Sequence, residues 1–125
     1  MKPVDQQVFG SPDGDCLMAS AASILEVPLE ALPAFRGEEE HWWDRLQEAL
    51  RPHGFTAIYY PHDPDGGYQP IAPRGYHIAS GRASRGYMHA VVYQDGKLAH
   101  DPHPSREGIY EVRAYYLIVP LAESA

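Results

Sequence analysis

The hydrophobic pattern of this chain changes period near Phe55, and this change constrains the fold more than any other feature. Before it, the uncharged run from Cys16 to Leu25 and the stretch that follows Trp42 have helical spacing. After it, apolar and aromatic residues alternate in short segments, as they do in strands. Helices first and strands afterwards predict a segregated α+β fold rather than an alternating one.

Two helices are predicted in the first half of the chain. The first begins after Asp15, a residue type that commonly caps helix N termini, and ends before Pro28. Its apolar residues cover nearly every side, which is typical of a buried helix. The stretch "PLEALP" adds a helical turn, and an amphipathic second helix starts near Trp42 and ends near Pro52 and Gly54.

Five strand-like segments fill the second half: "FTAIYY", "GYHIAS", "MHAVVY", "KLAHD" and "YEVRAYYLIV". A loop rich in proline and glycine, residues 61–74, separates the first two. We therefore expect N-terminal helices packed on a C-terminal antiparallel sheet. A length of 125 residues predicts that residues 1–125 form a single domain.

The amino-acid composition restricts the kinds of partner that this chain can bind. The chain carries 17 acidic and 10 basic residues, a net charge of −7, and no basic stripe, which argues against a nucleic-acid partner. The start "MKPVDQQ" lacks an apolar leader, and no run approaches the roughly 18 apolar residues of a membrane span. With one cysteine and hence no internal disulfide, a cytoplasmic protein without a membrane partner is expected.

Cys16 is the candidate nucleophile. At the first position of the predicted helix, its thiol faces unpaired backbone N–H groups and the positive end of the helix dipole, which favour the thiolate. The ordinary alternative is a cysteine that packs as a small hydrophobic residue.

A thiolate nucleophile needs a base that is itself oriented by a partner. In "MHAVVYQDGKLAHDP", His89 stands at the head of one hairpin strand and Asp101 at the far end of the other. The remaining early histidines have no acid in register and are interpreted as ordinary: His41, His53, His62 and His77.

The hairpin loop decides which side chains meet. A two-residue turn at 95–96 would bring His100 diagonally beside His89, an arrangement that favours a metal pair. A three-residue loop at 94–96 would instead place His89 opposite Asp101. We expect the three-residue loop, because a left-handed glycine at its last position is what that loop requires.

The stretches "DCLMASAASILEVPLEALP" and "HAVVYQDGKLAHDPHPS" resemble papain-like cysteine peptidases, in which Cys is followed by His about seventy residues on and then by Asp. They look closest to a small bacterial and phage-borne group of that superfamily. They are also similar to the peptidase domains of bacteriocin-processing transporters. The resemblance covers residues 4–108 and implies a papain-like fold with the catalytic cysteine at the tip of a buried helix.

The resemblance also implies roles for individual residues. Cys16 would be the nucleophile, His89 the general base and Asp101 its orienting carboxylate. Gln6, in preference to Gln7, would donate to the oxyanion together with the backbone N–H of Cys16. In papain the glutamine lies closer to the cysteine, so the intervening "VFGSPDGD" must fold back here. The implied activity is a hydrolase of peptidase or amidase type that acts on a peptide or amide substrate through a thioester, with no cofactor and no metal.

Two alternatives stay open. The segment "HDPHPS" favours a metal-binding protein, because His100, Asp101 and His103 crowd near His89 and imidazole is a common zinc ligand. The other alternative is a catalytically silent papain-like binding module, because the presence of a triad pattern does not show that the protein turns over a substrate. The sequence also leaves open the bond cleaved, the oligomeric state, and whether residues 61–74 or a second subunit complete the substrate groove.

Overall fold

A computed structural model describes residues 1–9, 15–33, 40–62 and 74–121. These residues form two α-helices and five strands, and each α-helix is followed by a short 3-10 turn. The elements are α1 Cys16–Leu25, α2 Trp42–Leu50, β1 Phe55–Pro61, β2 Tyr76–Arg82, β3 Met88–Gln94, β4 Lys97–His100 and β5 Glu111–Pro120. The predicted α+β class is confirmed. Most of the predicted 61–74 loop lies outside the described residues.

The five strands form one antiparallel sheet in the order β1-β5-β2-β3-β4. β5, the last strand within the described residues, therefore lies inside the sheet, and β1 and β4 are the edge strands. α1 packs against β3 and β2, and α2 packs against β1. As the apolar pattern predicts, α1 is buried along residues 17–23. No helix within the described ranges is long and apolar enough to cross a membrane.

The predicted three-residue loop between β3 and β4 is wrong. The strands are joined by a two-residue turn, in which Asp95 and Gly96 have φ angles of 52° and 85° and Gln94 pairs with Lys97. Two successive left-handed residues make a type I′ turn, whose twist matches that of the flanking strands. The Asp95 carboxylate stabilises the turn by accepting the N–H of Gly75 at 2.6 Å.

A bulge then shifts the register of this hairpin by one residue. Tyr93 pairs with Leu98, but Val92 pairs with His100, so Ala99 has no partner of its own. A bulge bends its strand and changes the direction of the side chains beyond it. The bulge therefore sets how the chain leaves β4 toward residue 101.

Gly81 allows a close approach of two central strands. The β2 and β5 register shifts between Ser80 and Gly81, and a Cβ atom at Gly81 would overlap the backbone oxygen of Glu111. On its other side Gly81 pairs with His89 of β3. The absence of a side chain here thus supports the part of the sheet that carries His89.

Candidate active site

Cys16 is the first residue of α1, and its half-buried side chain lies beside Ala90 of β3. The backbone N–H of Ala90 donates to Cys16 Sγ at 3.4 Å, and Ser20 Oγ donates to the carbonyl of Ala90 at 3.3 Å. The register of β4 covers only residues 92–94 of β3, so the outward backbone groups of Ala90 are left for the helix. These two hydrogen bonds hold the thiol beside the residue that follows His89.

His89 and Asp101 are in direct contact. His89 Nε2 donates to Asp101 Oδ1 at 2.6 Å, and the two side chains are only 1% and 0% exposed. The carboxylate also accepts the backbone N–H groups of His103 at 2.9 Å and Gly108 at 2.7 Å. The structure brings together the two residues that sequence analysis paired, although by a different turn and a bulge.

The environment of this pair favours its charged form. Burial alone would lower the pKa of His89, but the hydrogen bond to Asp101, the nearby side chain of Cys16 and the negative charge of Asp101 raise the pKa to about 9. Burial alone would raise the pKa of Asp101, but the bonds from His89 and from the N–H groups of His103 and Gly108 lower the pKa to about 2. Because Nε2 is bonded to Asp101, Nδ1 is the ring nitrogen available to the thiol of Cys16.

We expect this pair to make stability depend on pH. The pKa of His89 lies above the ordinary value of 6.5, so its contribution is complete below pH 6.5 and is lost as pH rises toward 9. The pKa of Asp101 lies below 3.8, so its contribution is present above that pH and is lost as pH falls toward 2. Urea unfolding should show a loss on the order of 2 to 3 kcal/mol between pH 6.5 and 9. In His89→Gln this alkaline loss should disappear, and an unchanged slope in that variant would contradict the assignment.

The N-terminal segment is fastened to the loop that holds Asp101. Arg106 donates to both carboxylate oxygens of Asp5, at 2.6 and 2.8 Å, and to the backbone oxygen of Asp101 at 2.6 Å. The backbone N–H of Gln6 donates to the carbonyl of Pro102 at 3.2 Å. Sequence analysis missed Arg106 and Asp5, because residues this far apart along the chain leave no local pattern.

Gln6 is buried beside the start of α1, whereas Gln7 is exposed. Gln6 Nε2 donates to the carbonyl of Val8 at 2.9 Å, and the N–H of Asp15 donates to the same carbonyl at 3.3 Å. Gln6 Oε1 has no hydrogen-bond partner among the described residues. The two ends of the stretch predicted to fold back, Val8 and Asp15, therefore lie in contact. Residues 10–14 between them lie outside the described ranges.

Asp15 is the N-cap residue of α1, as predicted, but it does not cap the helix with its side chain. Its carboxylate makes no capping hydrogen bond to the helix. It accepts instead the N–H groups of Gln7 at 3.1 Å and Val8 at 3.2 Å. Since its carboxylate is used in this way, Asp15 gives α1 only its backbone oxygen, which accepts the N–H of Ala19 at 2.9 Å.

The histidines of "HDPHPS" point in different directions. His100 Nε2 is 3.1 Å from the carbonyl of Val4 and 3.1 Å from a carboxylate oxygen of Asp5. His103 Nδ1 accepts the N–H of Ser105 at 3.0 Å. Within the described residues, no group of three or more His, Cys, Asp or Glu side chains is placed to hold a metal ion. The register that would pair Val91 with His100 is also not observed, because Val92 takes that place.

Comparison of the chain with protein-family models, with curated proteins and with solved structures found no match. The papain-like resemblance of the sequence therefore stays a hypothesis. A function for this chain has to be inferred from the geometry around Cys16, His89 and Asp101.

Proposed function

We propose that this protein is a cysteine hydrolase of peptidase or amidase type, with Cys16 as nucleophile, His89 as acid and base, and Asp101 as the orienting carboxylate. The observation that carries the proposal is the buried hydrogen bond between His89 and Asp101, next to Cys16, whose Sγ accepts the backbone N–H of Ala90, the residue that follows His89. A nucleophile, a base and an orienting group in one chain of contacts are what covalent catalysis by a thiol requires.

In the first chemical step, the thiolate of Cys16 attacks the carbonyl carbon of an amide and forms a carbon–sulfur bond. The carbonyl electrons move to the oxygen, which accepts the backbone N–H of Cys16 and an N–H of the Gln6 side chain. His89 Nδ1 then gives its proton to the leaving nitrogen, the carbon–nitrogen bond breaks, and an amine and a thioester result.

Water completes the cycle. The now neutral Nδ1 of His89 takes a proton from a water molecule, whose oxygen attacks the thioester carbon. The carbon–sulfur bond breaks, an acid is released, and the thiolate–imidazolium pair returns. Asp101 stays ionised throughout and holds Nε2 protonated, so that Nδ1 always faces the sulfur.

Alkylation tests this proposal without a known substrate. At pH 6 an ordinary free thiol is only about 0.3% ionised. We expect iodoacetamide to modify Cys16 roughly tenfold or more faster than it modifies glutathione, because a neighbouring imidazolium favours the thiolate. His89→Ala should lose this advantage, whereas His41→Ala, at an exposed residue that precedes α2, should keep it. The measurement is the rate of mass increase at Cys16.

A folded protein whose Cys16 reacts no faster than glutathione would rule out the thiolate–imidazolium pair. Fast alkylation without hydrolysis of a broad set of peptide and amide substrates would favour the catalytically silent binding module.

A further inference from the structure

We propose that Arg85 forms a carboxylate-binding subsite beside the candidate active site, on the side of the leaving group. This inference rests on the proposed function and names its substrate class: amides whose leaving amine carries a carboxylate, as an amino acid or the C-terminal end of a peptide does.

The guanidinium of Arg85 is incompletely bonded. Its Nε donates to the hydroxyl of Tyr87 at 2.7 Å, and its Nη1 donates to Ser105 Oγ at 3.1 Å. Its Nη2 is buried and has no hydrogen-bond partner among the described residues. By contrast, Arg106 and Arg113 each form an ion pair with a carboxylate, and none of the ion pairs found among the described residues involves Arg85.

A short chain of contacts connects this guanidinium to the candidate active site. Ser105 Oγ, which accepts from Arg85, lies 2.9 Å from His103 Nδ1. The ring of His103 meets that of His89 edge to face, with centroids 6.2 Å apart. Arg85 also lies in the turn that leads directly into β3 and His89. The contacts therefore connect the subsite to His89, the residue proposed to protonate the leaving amine.

The unpaired Nη2 of Arg85 suits a carboxylate. An unpaired buried N–H of a charged group is costly, and a carboxylate is the acceptor whose geometry matches a guanidinium. His103 adds a neutral donor, because its Nδ1 accepts from Ser105 and leaves the proton on Nε2. Burial first, and then the charge of Arg85, lower the pKa of His103 and keep it neutral.

The surrounding charge favours a singly charged ligand over a phosphate. Glu107 lies close to this cluster, since its carboxylate accepts the hydroxyl of Ser84 at 2.6 Å and its charge acts on His103. Arg85 and His89 bring two positive charges to this cluster, and Asp101 and Glu107 bring two negative ones. On a chain with a net charge of −7, a dianion would therefore be repelled more than a carboxylate.

Three electrophiles test the subsite on the intact protein. N-iodoacetylglycine and N-iodoacetylglycinamide are nearly the same size and differ by a carboxylate, and both alkylate the sulfur of Cys16 with loss of iodide. The N-iodoacetyl derivative of aspartic acid α-amide carries its carboxylate on a side chain instead. Each rate is divided by the rate of the same reagent with glutathione.

We expect wild-type Cys16 to prefer N-iodoacetylglycine over its amide by at least about tenfold, the usual effect of a charged hydrogen bond. Arg85→Gln should remove this preference and leave the rate with the amide unchanged, and Arg85→Lys should retain part of it. If the aspartate reagent is preferred over the glycinamide reagent as strongly as N-iodoacetylglycine is, the subsite also accepts acidic side chains. A weaker preference for the aspartate reagent would restrict the subsite to terminal carboxylates.

Arg113→Gln is the matched control, because it removes the same charge from a half-exposed residue that pairs with Glu111 on β5. Its preference should equal that of the wild type. Fast alkylation by both glycine reagents with no preference, or a preference that survives in Arg85→Gln, would overturn the subsite alone. Slow alkylation by every reagent would instead overturn the proposed function. Melting curves should confirm that Arg85→Gln stays folded.

Discussion

Asp101→Ala is expected to lower the free energy of unfolding by roughly 3 to 5 kcal/mol at pH 7. The substitution leaves the buried imidazolium of His89 without its counter-ion and the N–H groups of His103 and Gly108 without their acceptor. Each of these groups is costly to bury unpaired, and a charge more than an amide. Urea denaturation followed by circular dichroism measures the change.

Asp44→Ala is the control for this experiment, because Asp44 is an exposed carboxylate in the first turn of α2. It should cost about 1 kcal/mol or less. Asp101→Asn should cost less than Asp101→Ala, since it keeps the volume and one acceptor oxygen, yet it should slow alkylation of Cys16 at pH 6. If Asp101→Ala cost no more than Asp44→Ala, the buried pair would not be present in solution.

Gly81→Ala should reduce the free energy of unfolding by roughly 3 kcal/mol, at the upper end of what an added methyl group costs in a packed interior. The added Cβ would overlap a backbone oxygen of Glu111 rather than the end of a flexible side chain, so β2 and β5 must separate. Because Gly81 pairs with His89, the displacement should reach the candidate active site as well. Thermal and urea unfolding measure the first effect, and alkylation of Cys16 measures the second.

Gly75→Ala distinguishes this steric effect from backbone strain. Gly75 has a left-handed φ of 72°, but a Cβ there would meet nothing within 4 Å. Gly75→Ala should therefore reduce the free energy of unfolding by only about 1 kcal/mol, the ordinary penalty for a side chain in that conformation. Equal losses for the two variants would show that β2 and β5 tolerate a methyl group between them.

Local signals were enough to predict the elements of secondary structure. The uncharged run after Asp15 predicted the helix that begins at Cys16, and the alternation after Phe55 predicted the strands. These signals depend on neighbours within a few residues, where period, propensity and turn residues act directly. The same local reasoning placed Asp15 correctly at the N-cap, but it did not predict that the carboxylate bonds to the N-terminal segment rather than to its helix.

The β3–β4 hairpin shows how a local preference and a tertiary constraint combine. Asp95-Gly96 formed the two-residue turn that its dipeptide favours, and we predicted a longer loop. The turn alone does not place Asp101, because the bulge at Ala99 shifts the register of the rest of β4. Three hydrogen bonds to the Asp101 carboxylate, two of them from the loop that follows, hold it against His89 instead.

The sequence by itself determined the α+β class, the position of Cys16 at the start of a buried helix, and the set of residues worth testing as a base and its partner. Only the tertiary structure decided that Gln6 is buried and that Arg106 joins Asp5 to the Asp101 loop. It also decided that Nη2 of Arg85 is buried without a hydrogen-bond partner among the described residues. The physical reason is the distance along the chain over which each kind of interaction acts. Helix and strand preferences act between neighbours, whereas these contacts join residues up to 101 positions apart and form only when the sheet and helices have packed.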